Sequence, residues 1–154
     1  MKALNFVFVG QSKDKNYRDL EAAYHEKISK YVTSHLVTVK DSSEKNIPLK
    51  KNKETQNLLT KISRGDILIV CDERGVSLTS EKFAQKINAW QIQGQRVVFV
   101  VGGAFGVTED FLKKANVTLK LSEFTLPHEL ARVLLLEQVY RAFTIQAGQK
   151  YHHG

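Results

Sequence analysis

"RVVFVVGGAFG", residues 96–106, sets a run of apolar residues directly against a glycine turn. A run that is apolar at every position, not at every second one, reads as a strand buried on both faces, the situation of a parallel strand covered by helices. The turn has Gly102, Gly103 and Gly106 but no lysine leading into the next helix. Its spacing therefore matches neither a Walker loop nor the dinucleotide fingerprint. Phosphate cradling is not expected; what such glycines offer is close approach of the main chain to a ligand.

Outward from this stretch the same strand-then-helix unit recurs. "ALNFVFVG" (3–10) reads as a strand, and "NYRDLEAAYHEKISKYV" (16–32) as a helix with Tyr17, Leu20, Tyr24, Ile28 and Tyr31 along one face. "HLVTVK" (35–40) is a second strand, Lys45–Lys53 a loop around Pro48, and "ETQNLLTKIS" (54–63) a modest amphipathic helix before Gly65. "DILIVCDERG" (66–75) gives a strand with Cys71 near its end and a charged turn. A helix follows over 79–94, with Thr79 as N-cap and Gly94 at its end. After the glycine turn, "TEDFLKKA" (108–115) is a short helix capped by Thr108, "VTLKLS" (117–122) a fifth strand, and Pro127 opens the last helix. The pattern predicts an α/β fold in three layers, with a mostly parallel sheet of about five strands, as a single domain over residues 1–154.

The last helix, "ELARVLLLEQVYRAFTIQ" (129–146), is apolar around more than one face. With the sheet covering one side, a second subunit is the expected cover for the other, the alternative being burial within its own monomer.

A formal charge of +7 favours polyanionic partners, nucleic acid above all, although mild basicity also serves solubility alone. The densest basic group, "KNIPLKKNKE" (45–54), reads as a solvated loop or as a binding patch. A single cysteine excludes an internal disulfide and, by itself, a structural zinc site. With no signal-like or membrane-spanning segment, a cytoplasmic protein is expected.

Ligands of open parallel sheets bind outside the carboxyl ends of the strands. Three loops qualify: "CDERG", "GGAFG" and "SEFTLPHEL". Asp72 and Glu73 read as ribose partners, bases or a solvated turn; Cys71 as a small buried group; His128 as a helix-end residue or a group facing the cleft. The adjacent His152 and His153 lack the spacing of metal ligands, and no metal is expected.

On "LSEFTLPHELARVLLLEQVYRAFTI", "VVFVVGGAFG" and the closing "YHH", the sequence resembles the RlmH family of ribosomal RNA methyltransferases, within the SPOUT superfamily. The resemblance covers the whole chain. It departs at the tail, where His153 and Gly154 follow His152 in place of the usual terminal basic residue. It implies a deep C-terminal trefoil knot, a homodimer, and S-adenosylmethionine-dependent methylation of N3 of a pseudouridine in 23S rRNA on assembled ribosomes. It places the cofactor against Cys71, Gly102, Leu121, Ser122, Glu123, Phe124, Thr125 and Leu126. RNA contacts would fall to Arg132, Arg141 and Lys150, and catalytic roles to Tyr151 and His152. The rival reading is a basic RNA- or ribosome-binding module without catalysis.

Overall fold

The computed structural model describes residues 2–154. Strands β1 (Leu4–Val9), β2 (Ser34–Val39), β3 (Ile67–Ser77), β4 (Val97–Val101) and β5 (Val117–Lys120) alternate with helices α1 (Lys15–Ser29), α2 (Ile47–Leu59), α3 (Ser80–Ile92), α4 (Glu109–Lys113) and α5 (His128–Gln146). The strands form one sheet in the order β2-β1-β4-β3-β5, and every pairing is parallel.

Strand alternation divides the sheet into two faces. Phe6, Phe8, Ile69 and Phe99 face Ile28 of α1, Phe83 and Ile87 of α3, and Leu135 and Val139 of α5. Val7, Val9, Val70, Val98 and Val100 face Leu58 of α2 and Phe111 of α4. Both sides are thus covered, and for this reason the central strand, β4, is apolar throughout. The Thr79 hydroxyl accepts from Lys82 N–H and the Thr108 hydroxyl from Phe111 N–H, as the capping signals indicate.

Three local expectations are corrected. Helix α2 begins inside the stretch read as a loop, because the Asn46 side chain caps Leu49 N–H and Pro48 occupies the first turn. Ile47 and Leu49 lie exposed there, so no apolar periodicity marks the start. In α1, Leu20 is exposed and Glu21 is buried in the adjacent position. Strand β3 runs past its charged residues: a bulge between Cys71 and Val76 lets Val76 and Ser77 pair with Leu119 and Lys120. Helices α1 and α3 pack on either side of α5, and Leu130 near its start stays exposed.

Candidate functional site

The carboxyl ends of β3 and β4, the loop after β5 and the first turn of α5 enclose an open pocket. Strand β3 contributes Cys71, Asp72 and Glu73; the glycine turn contributes Gly102, Gly103, Ala104 and Gly106. Leu121, Ser122, Phe124 and Leu126 come from the loop, and His128 and Ala131 from α5. All three loops singled out from the sequence therefore meet at one place.

Charge in this pocket is set by its surroundings. Burial pushes the Asp72 carboxyl up, but the Arg74 guanidinium binds both its oxygens, at 2.8 and 3.0 Å, and holds it below the usual carboxylate range. A fixed anion results. The Cys71 thiol is driven up to about 12 by burial and by Asp72, so it stays protonated and serves as packing, not as a nucleophile. Burial and the nearby Arg132 charge hold His128 below the ordinary histidine value, leaving a neutral imidazole on the pocket wall near neutrality.

The glycine turn is closed on itself by a bond from Gly106 N–H to the Gly103 carbonyl at 3.0 Å. A Cβ on Gly102 would lie 2.9 Å from Val107 Cγ1, so the turn has no room for a side chain there. Behind Gly103 stands Glu54, which the sequence reading did not single out. One of its oxygens accepts from Ser42 N–H at 3.0 Å and Lys50 Nζ at 2.9 Å. The other is buried without a partner among the described residues, 2.7 Å from where a Gly103 Cβ would stand. The only sequence trace of this buried acid is its i,i+4 spacing from Lys50, which any solvent-facing pair shares.

The remaining expected site residues are distributed unevenly. Glu123 and Thr125 do not line the pocket; Glu123 bonds Ser77 Oγ at 3.2 Å and Lys120 Nζ at 2.9 Å. The expectation that Arg132 contacts RNA is corrected. Its side chain is 0 % exposed, and its guanidinium donates to the carbonyls of Val9 and Gly10 and to Ser12 Oγ, tying α5 to the end of β1. A guanidinium with no exposed surface is out of reach of a phosphate.

Tyr151 and His152 form a separate cluster. Glu137 Oε1 accepts from Arg141 at 2.6 and 3.0 Å and from the Tyr151 hydroxyl at 3.0 Å. The Arg141 guanidinium lies 4.8 Å from the Tyr151 ring centre and 3.1 Å from His152 Nδ1, while His152 Nε2 meets Glu81 at 2.7 Å. Burial and Glu137 push the Tyr151 phenol above its ordinary value, so it remains a donor. Neither tail residue lines the pocket, and Lys150 stands exposed beside them. Among the described residues no group of three His, Cys, Asp or Glu side chains is placed to hold a metal ion.

A family model described as "Predicted SPOUT methyltransferase" matches residues 1–152. The chain belongs to the SPOUT methyltransferase family. Two curated relatives share the name "Ribosomal RNA large subunit methyltransferase H". The one from Maridesulfovibrio salexigens is 38% identical over 155 residues, covering 99% of each chain. The one from Caldicellulosiruptor saccharolyticus is 32% identical over 152 residues, covering 97% of this chain and 99% of its own. A solved "probable methylase family protein" from Haemophilus influenzae Rd KW20 superposes with a TM-score of 0.60 at 16% identity, over 98% of this chain and 70% of that one. At that identity the likeness concerns the fold alone. As a SPOUT methyltransferase, the protein requires a methyl donor, and the pocket at the strand ends is where its chemistry is to be sought. No helix among the described residues is long and apolar enough to cross a membrane.

Proposed function

We propose that this protein transfers the methyl group of S-adenosylmethionine to N3 of a pseudouridine in 23S rRNA, acting on assembled ribosomes in the cytoplasm as a homodimer with a knotted C-terminal half. The observation that carries the reading is that one pocket joins the glycine turn, the loop after β5 and a neutral histidine. It occurs in a chain 32–38% identical, over nearly its full length, to two rRNA methyltransferases.

The residues fit the cofactor. Val101, Leu121, Leu126 and Ala131 supply apolar walls for an adenine ring, and Asp72 and Glu73 supply negative charge beside a sulfonium and an ammonium. The side-chain-free turn at Gly102 lets main-chain groups approach the ligand. Contact by Gly102 and by the 121–126 loop through the main chain is consistent with Glu123 and Thr125 pointing their side chains elsewhere. When bound, S-adenosylmethionine supplies a methyl already activated by the positive sulfur. The protein's tasks are to align N3 with it and to accept the N3 proton.

For the proton, His128 is the better base. It lines the pocket in neutral form, whereas the Tyr151 phenol is a bound donor and both His152 ring nitrogens are engaged. Arg141, Lys150 and the tail then belong to the RNA-holding surface. Exposed Leu130 on α5 supports an apolar contact with a second copy.

The test is methylation of ribosomes from cells lacking this protein. One methyl per large subunit restored by the purified protein and S-adenosylmethionine is expected. No transfer, with no thermal stabilisation by the cofactor, would leave the non-catalytic RNA-binding module as the reading.

A further inference from the structure

The chain has eight phenylalanines. Phe6, Phe8, Phe83, Phe99, Phe111 and Phe143 are buried in the core. The other two are Phe105, 51% exposed, and Phe124, 83% exposed. Neither makes a ring–ring or cation–ring contact among those the structure records. Both belong to loops of the same pocket: Phe124 is on its lining, and Phe105 lies between Ala104 and Gly106, which are also on it. Exposed rings at a pocket mouth cost apolar hydration that a partner recovers on binding.

We propose that Phe105 and Phe124 are stacking platforms for unpaired bases of the RNA substrate, holding the target nucleotide or its neighbour over the pocket. The proposal rests on the rRNA reading above and adds the residues that grip the substrate.

Three features favour a nucleic-acid base over other occupants. The pocket interior already has aliphatic walls in Val101, Leu121 and Leu126 for a cofactor ring, so rings projecting outward are left for a second planar group. Their sequence neighbours Ala104, Glu123 and Thr125 are exposed, so each ring stands apart and not within a flat apolar face suited to a protein partner. A cation stands at the mouth: Lys120 is on the lining, where it pairs with Glu123, and the carboxylates of Asp72 and Glu73 share that lining. Exposed aromatic faces match single-stranded RNA, whose bases splay out and stack.

The experiment compares wild type, F105A, F124A, F105W and F124W on large subunits isolated from cells lacking the protein, with cofactor affinity and sedimentation mass measured in parallel. Each alanine variant should raise KM for the subunits roughly 5- to 150-fold, the factor to which ~1–3 kcal/mol of base stacking converts at about 1.4 kcal/mol per tenfold. In F105A, whose ring is not on the pocket lining, cofactor affinity should stay within about threefold, and the tryptophan variants should restore KM. An unchanged KM in both alanine variants overturns the proposal. So does a loss of cofactor affinity in F105A, which would put that ring on the cofactor, or a fall in mass, which would put the rings in an interface between copies. A wild type that methylates no RNA sinks the underlying reading and this inference with it, an outcome distinct from active alanine variants.

Discussion

The two halves of α5 carry the same kinds of residue and treat them in opposite ways. In the N-terminal half, His128 and Arg132 sit where charges are buried and incompletely matched. Arg132 Nε, Glu54 Oε1 and Glu21 Oε2 have no partner among the described residues, and the His128 imidazole is kept from charging. Against the C-terminal half, Glu137 and Arg141 of the helix, Tyr151 and His152 of the tail and Glu81 satisfy one another in a network. A matched network holds geometry, whereas a group left short of partners keeps the capacity to react or to bind. Pocket chemistry accordingly belongs to the first half, and fastening of the tail to the second.

The largest effect that tests this contrast comes from Arg132. Replacement by Met conserves bulk but strips the Val9 and Gly10 carbonyls of their buried donor. A loss of about 2–5 kcal/mol is expected, seen as a fall of roughly 5–15 °C in the thermal midpoint. Lysine should not rescue, since an ammonium lacks the fork that reaches both carbonyls at once. A midpoint within a degree or two of wild type would mean that the two halves do not differ in the way described.

Next in size is His128→Asn. Loss of a general base lowers the rate of methyl transfer by about 10²–10⁴ while cofactor affinity changes little. The pH profile has a definite sign: His128 is depressed, and only its neutral form accepts a proton. Activity therefore falls only when pH drops through a value below the ordinary 6.5, and the Asn variant loses that acid limb. An acid limb at or above 6.5, unchanged in the variant, would move the base elsewhere.

Gly103→Ala should cost about 1–3 kcal/mol in stability or cofactor binding, because the new methyl meets a Glu54 oxygen at 2.7 Å. Adding Glu54→Ala removes the obstacle, so the double variant should be better than the sum of the two singles. Strict additivity in a double-mutant cycle would show that Glu54 does not shape the turn.

How far all this was legible in the sequence follows from the range of the interactions involved. Strand β4 is five apolar residues in a row, and its turn is visible in the same stretch. The three site loops follow from a general property of parallel sheets. The start of α2 is hidden because it rests on a single cap, Asn46, with exposed Ile47 and Leu49 behind it. The packing of α1 and α3 beside α5 was not legible, because it depends on helices distant in sequence. Arg132 and Glu54 were opaque for a related reason. The partners of Arg132, at Val9 and Gly10, and the turn at Gly103 behind which Glu54 stands are distant in sequence, and nothing local distinguishes a buried charge from a surface one.

The smallest effect expected, and the one that separates the two halves most cleanly, is from Glu137→Gln. Glutamine keeps an acceptor oxygen in place but removes the charge that Arg141 pairs with. Both side chains retain some solvent access, so the ion pair contributes only about 1 kcal/mol or less, and the melting midpoint should shift by a few degrees at most. The consequence is local: the Tyr151 hydroxyl and the Arg141 guanidinium lose their common anchor, and amide exchange should rise over residues 148–154. Cofactor affinity should stay at the wild-type value, because no member of this network lines the pocket. Transfer to ribosomal subunits should fall severalfold through KM, since the tail is then no longer held in one conformation for RNA. A Glu137→Gln protein whose cofactor affinity fell along with its RNA affinity would show that the network and the pocket act as one unit.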